Sequence, residues 1–144
     1  MTHGPIDRED IRHWEDAWNS HDIERVLSLF DPGVVIHQPS NPKPLDFESA
    51  RNFFSMIFRA YPDFHITVKY SVIQDLTAVS VEEVTGTWLG ALTDPATGKT
   101  TAGNGRRFDH PGVMLIKYGP DHKIRSVDIY WDRLVVNQQL GIKN

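Results

Sequence analysis

The chain has 144 residues, of which 40% are hydrophobic and 24% charged, with a formal charge of −4 and no cysteine. That length suits one ordinary domain, and the balance of apolar and charged residues excludes a disordered or fibrous chain. The negative charge and the lack of a long Lys/Arg run exclude a broad phosphate-binding face, and with it nucleic acid as a partner, while the missing cysteines exclude disulfides, thiolate metal sites and cysteine nucleophiles.

The N-terminus "MTHGPIDRED" lacks the basic start and apolar stretch of a signal peptide, and no apolar run reaches membrane-spanning length. The expectation is one domain over residues 1–144, cytoplasmic, with no membrane partner. Ile11, Trp14 and Trp18 recur at helical spacing in "REDIRHWEDAWNS", which predicts an amphipathic helix capped by Asp7. A shorter helix follows in "DIERVLSLF" and is stopped by Asp31-Pro32-Gly33; "VVIHQ" then has the β-branched content of a strand. The prolines of "PSNPKPLD" predict a loop, from which Asp46 caps a third helix, "FESARNFFSMIFRAY".

The remainder is strand-like: "FHITVKYSVI", "AVSVEEVTGTWLG", "GVMLIKY" and "KIRSVDIYWD", joined by turns short enough for antiparallel hairpins. The polar tract "TDPATGKTTAGNGRR" predicts a loop or an extended hairpin end, and "RLVVNQQL" a closing helix. Helices first and strands after them predict an α+β domain. Its curved antiparallel sheet would wrap around the N-terminal helices as a cone with an internal pocket.

The combination "AWNSHDIERVLSLFDPGVVIH", "AYPDFHITV", "VTGTWLG", "HPGVMLIKYGPDHKI" and "YWDRLVVNQQLG" resembles the SnoaL-like polyketide cyclase family, over nearly the whole chain. The resemblance implies the cone fold shared with ketosteroid isomerases, limonene epoxide hydrolases, scytalone dehydratases and nuclear transport factors. In the cyclases of that family an aspartate on the last strand, a few residues before the closing "QLG", is the acid/base of an intramolecular aldol closure without metal or cofactor. That motif position falls on Asp132. The stretch from Thr97 to His110 looks longer than the family pattern.

Asp132 sits among Tyr130, Trp131, Leu134, Val135 and Val136, where a carboxylate is either a tuned chemical group or the N-cap of the closing helix. Alternation places Asp128, Tyr130 and Asp132 on one face of the strand and Val127, Ile129 and Trp131 on the other. With the polar set turned into the cone, the apolar set would cover the outer face, which predicts a homodimer through the sheet. His37, at the end of the first strand, is either a pocket residue acting with Asp132 or a satisfied core histidine.

Trp14, Trp18, Phe54, Phe58, Trp88 and Met114 form either a pocket wall for a flat hydrophobic substrate or simply the core, and His110 and Tyr130 are candidate contacts to that substrate. His65 stands on an alternating strand, while His3, His13, His21 and His122 read as surface or capping residues. No metal-ligand spacing, P-loop or dinucleotide fingerprint occurs, so no metal and no cofactor are expected. The function expected is cofactor-free acid/base catalysis of the cyclase, isomerase or dehydratase type on a polyketide-, steroid- or terpenoid-like substrate, with Asp132 as the working group. Two alternatives stand beside it: an epoxide hydrolase using Asp132, Arg107 and Asp128, and a noncatalytic binding module.

Overall fold

A computed structural model describes residues 4–143. His3 lies outside the described residues. Helix α1 (Arg8–Ser20) begins at Asp7, whose carboxylate accepts from the Glu9 amide while Asp10 reaches back to the Asp7 amide, a reciprocal cap. It ends at His21, which adopts a left-handed conformation, and the short α2 (Ile23–Leu27) starts from the Asp22 cap. Helix α3 (Phe47–Ala60) is capped by Asp46, and α4 (Arg133–Leu140) is closed by Gly141 at φ 75°, a conformation that glycine adopts at little cost.

The strands are β1 (Phe30–Gln38), β2 (Asn41–Leu45), β3 (His65–Gln74), β4 (Thr77–Thr87), β5 (Leu92–Thr93), β6 (Thr100–Thr101), β7 (Arg107–Tyr118) and β8 (Ile124–Tyr130). Six of them form one sheet in the order β2-β1-β8-β7-β4-β3, and β5 and β6 form a small separate hairpin. The α+β cone is the expected one, with one difference: β1 runs parallel to β8, so the curved sheet is mixed. The proline tract, expected as a loop, contains strand β2. It occupies the sheet edge, where Pro42 and Pro44 withhold no hydrogen bond that a neighbouring strand needs.

Sheet and helices enclose one apolar core that includes Trp14, Trp18, Ile36, Phe54, Trp88 and Ile116. Among the described residues, no helix is long and apolar enough to cross a membrane.

Candidate active site

The inner face of the sheet, α1, α3, α4 and the β5–β6 hairpin surround a cavity of about 640 Å³. This is within the range of small-molecule sites. Its wall is largely aromatic. Trp18 packs edge-on against Trp14 and Phe54, with ring centroids 5.4 and 4.7 Å apart, and His110 lies between Phe108 and Trp131 at 5.3 and 5.6 Å. Near the mouth, Arg133 at the start of α4 meets Asp94 of the hairpin at 3.7 Å.

One carboxylate lies deep within this wall. Every second residue of β4 points inward, so Ala78, Ser80, Glu82 and Val84 share the buried face. Glu82 is only 1% exposed. Its Oε2 accepts from the Trp14 indole N–H and from the Ser80 hydroxyl, both at 2.8 Å, while Oε1 has no partner. Burial pushes the Glu82 carboxyl up to about 7; the two hydrogen bonds oppose that rise and the nearby Glu15 adds to it. Opposite Glu82 on β7 is Gly112, where the Met114 methyl and Val84 occupy the space a side chain would need, and the next inward position on β7 is His110. The His110 Nδ1 lies 2.9 Å from the Pro111 carbonyl oxygen, a contact in which the ring nitrogen donates.

Three further buried polar groups of the wall have no partner: the indole N–H groups of Trp18 and Trp88 and the amide nitrogen of Gln38. Buried donors are ordinarily satisfied, so three of them on residues that line one hollow, beside one unpartnered carboxylate oxygen, mark this wall as polar in places where the core elsewhere is apolar. Together they can accept a proton at Glu82 and stabilise an oxyanion by N–H donation. Among the described residues, no group of three His, Asp or Glu side chains is placed to hold a metal ion.

The model of one known family, the SnoaL-like polyketide cyclases, matches residues 9–140. The chain belongs to the SnoaL-like polyketide cyclase family. No curated protein matches it significantly. Among solved structures it is similar to a candidate SnoaL-like polyketide cyclase from a Jannaschia species (20% identity, TM-score 0.77, covering 95% of this chain and 92% of that one). It is also similar to IdmH, a candidate polyketide cyclase from Streptomyces antibioticus (22%, 0.71, 94% and 98%). A third is a protein of ketosteroid isomerase-like fold from Catenulispora acidiphila, in complex with trimethylamine (16%, 0.76, 96% and 96%). At these identities the likeness is one of fold.

For this SnoaL-like chain, the residues singled out from sequence divide into two groups. Trp14, Trp18, Phe54, Trp88, His110 and Met114 line the cavity. Phe58 does not; it is buried behind the wall, between Trp18 and the His21 ring. Asp132 is exposed, and its Oδ1 accepts from the Val135 amide at 3.1 Å as the N-cap of α4. The requirement for a carboxylate held in apolar surroundings is therefore not met at Asp132.

The two faces of β8 are also the reverse of the expectation. Val127, Ile129 and Trp131 turn inward, whereas Asp128 and Tyr130 turn out. The reason is hydrophobic: three apolar side chains contribute more to the core than the polar set would. His37 points out with them and pairs with Asp128 at 3.0 Å, away from the aromatic cavity. Arg107 meets Asp109, and Arg106 donates to carbonyls at the end of α4, so the Asp132–Arg107–Asp128 arrangement of an epoxide hydrolase does not form. His65 and His13 are exposed, His21 caps α1, and His122 contacts the Gly4 carbonyl at 2.7 Å.

Glu82 and Gln38 were not legible as site residues. In "AVSVEEVTGT" the face carrying Val79 and Val81 is the more apolar, so hydrophobicity alone turns the wrong side of β4 inward. The available signal is the pair Glu82-Glu83 within an alternating strand, which forces one of two adjacent acids to the buried face.

Proposed function

We propose that this protein catalyses cofactor-independent proton transfer at a carbon next to a carbonyl, in a flat hydrophobic substrate, as a cyclase or isomerase of the SnoaL-like type. Glu82 is the general base in place of the expected Asp132. The observation that carries the reading is the free Oε1 of Glu82, buried in an apolar cavity large enough for a ligand. Its carboxyl titrates near 7, so at neutral pH a substantial fraction is ionised yet basic enough to take a carbon-bound proton. The C–H electron pair becomes the enolate, whose oxygen accepts from an N–H donor of the wall. The enolate carbon then attacks an internal carbonyl, whose oxygen takes the proton back from Glu82 as the new C–C bond forms, or the conjugated carbon takes that proton back at another position.

Solvent deuterium exchange into the α-position of 2-tetralone tests this without knowledge of the natural substrate. Wild-type protein should accelerate exchange, with a rate that rises through about pH 7, and Glu82→Gln should lower it by about 10²–10⁴-fold while remaining folded. Unchanged exchange in folded Glu82→Gln would exclude the role.

A second reading, binding of a small organic cation, is favoured by the same carboxylate among aromatic faces and by the trimethylamine bound to the Catenulispora protein. The two separate by charge. Cation binding strengthens as Glu82 ionises and is lost in Glu82→Gln, whereas Glu82→Gln retains affinity for a neutral ketone.

The proposal includes a second copy on the outer face of the sheet. That face is apolar for a reason other than the one expected. Tyr70, Val81, Val113 and Tyr130 are cross-strand partners in one row, and Val72, Val79 and Leu115 in the next, with Tyr70, Val72 and Tyr130 about 60% exposed.

A further inference from the structure

Gln38 is the last residue of β1 and is 7% exposed. Its Oε1 accepts from both the backbone N–H and the hydroxyl of Ser40. A backbone N–H only donates, so the amide orientation is fixed by chemistry: the oxygen meets Ser40, and the nitrogen of this cavity-lining side chain is buried without a partner. Leaving a buried amide donor unpaired is unfavourable, and the Ser40 contacts hold the amide in this orientation.

Its position is as informative as its orientation. β1 and β4 are separated in the sheet by β8 and β7, so Gln38 and Glu82 stand three strand spacings apart, about 14 Å along the sheet. Both nevertheless line the same hollow. They therefore meet a ligand at opposite ends of that span, and between them the wall is apolar, with Ile129 and Met114 paired across β8 and β7. Among the described residues, no Lys or Arg stands beside Gln38 to offset a buried anion; the Lys and Arg side chains of the wall are Lys99 by the hairpin, Arg133 at the start of α4 and Lys143 beyond its end.

We infer that Gln38 is a specificity-determining donor that binds a carbonyl or ether oxygen at one end of an uncharged, elongated ring system, opposite the end whose carbon faces Glu82. The inference rests on the proposed function for the location of the reacting carbon, but the contact at Gln38 is testable by itself. Ser40 is a positioning residue, since it fixes which end of the amide the ligand meets.

All four tryptophans, Trp14, Trp18, Trp88 and Trp131, line the cavity, so intrinsic fluorescence reports its occupancy. The probes are androstane-3,17-dione, its two monoketones and androstane. In wild-type protein, removal of the carbonyl seated at Gln38 should weaken binding about tenfold, the worth of one buried hydrogen bond. In Gln38→Leu that discrimination should fall below about twofold, with affinity for androstane retained. Ser40→Ala keeps Gln38 but frees its amide to turn, and should reduce the discrimination to about threefold. It also serves if Gln38→Leu does not fold.

Equal weakening of all four ligands by Gln38→Leu, or discrimination that survives both substitutions, would overturn the inference, as would absence of binding by every probe. Loss of discrimination in Gln38→Leu without any Glu82-dependent deuterium exchange would sink the catalytic proposal and leave the Gln38 contact standing. Glu82-dependent exchange with no effect of Gln38→Leu would do the reverse.

Discussion

The indole N–H of Trp14 donates to the Glu82 carboxylate at 2.8 Å across 68 residues of sequence, tying the first helix to β4 within the cavity wall. A buried carboxyl with a single free oxygen is a source of both instability and reactivity, because burial penalises its charged form while the proton it gains is available for transfer. Both consequences can be measured.

Glu82 should make the protein less stable as pH rises. An ordinary glutamate titrates near 4.5 and Glu82 near 7 in the folded chain. Between these values the folded state binds more protons than the unfolded state, so Glu82's stabilising contribution is full below 4.5 and is lost as pH rises to about 7. Gln has the same shape and no charge. Thermal or urea denaturation should therefore show Glu82→Gln gaining on wild type by about 2–3 kcal/mol between pH 4 and pH 8. A constant difference across that range would mean that Glu82 titrates in the folded chain as it does in the unfolded one.

Trp14→Phe removes one of the two donors that favour the ionised carboxylate, with most of the ring area kept. The midpoint of the pH–rate profile for deuterium exchange should move up by about one pH unit. Exchange near pH 7 should fall, and the rate on the high-pH plateau should survive. A purely structural role for Trp14 would lower the plateau and leave the midpoint in place.

The helices were legible because their determinants are local. Asp7 and Asp46 stand where side chains cap helices, and Ile11, Trp14 and Trp18 recur at one helical face. The aromatic wall was legible for a similar reason, since in a cone the core and the pocket share residues. What remained hidden was the choice of face. Alternation assigns Asp128 and Tyr130 to one side of β8 and Ile129 and Trp131 to the other, but which side turns inward depends on the neighbouring strands. The Trp14–Glu82 and Gln38–Ser40 contacts differ in the same way: the second is local, yet its meaning depends on a cavity formed by distant segments.

Asp132 should behave as a cap. Asp132→Ala removes the acceptor for the Val135 amide and should cost about 1 kcal/mol of stability, whereas Asp132→Asn, also a good N-cap, should cost little. Neither should alter the pH profile of deuterium exchange. A fall in exchange of a hundredfold or more in folded Asp132→Asn would return the catalytic role to this residue.

The outer face should be covered by a second copy of the chain. Val81 and Val113 are paired at the middle of a row flanked by Tyr70 and Tyr130, so a charge at either position would be desolvated if two such faces met. An interface of about 800 Å² from each copy would have the standard size for a specific association, with the Tyr70–Val81–Val113–Tyr130 row at its centre and polar residues such as Asp128 and Lys117 beside it. Sedimentation of the full chain at micromolar concentration should give twice the monomer mass. Val113→Lys should shift it to the monomer with its fold intact by circular dichroism. A wild-type chain that sediments as a monomer over that range would show that solvent, and not a second copy, meets Tyr70, Val72 and Tyr130.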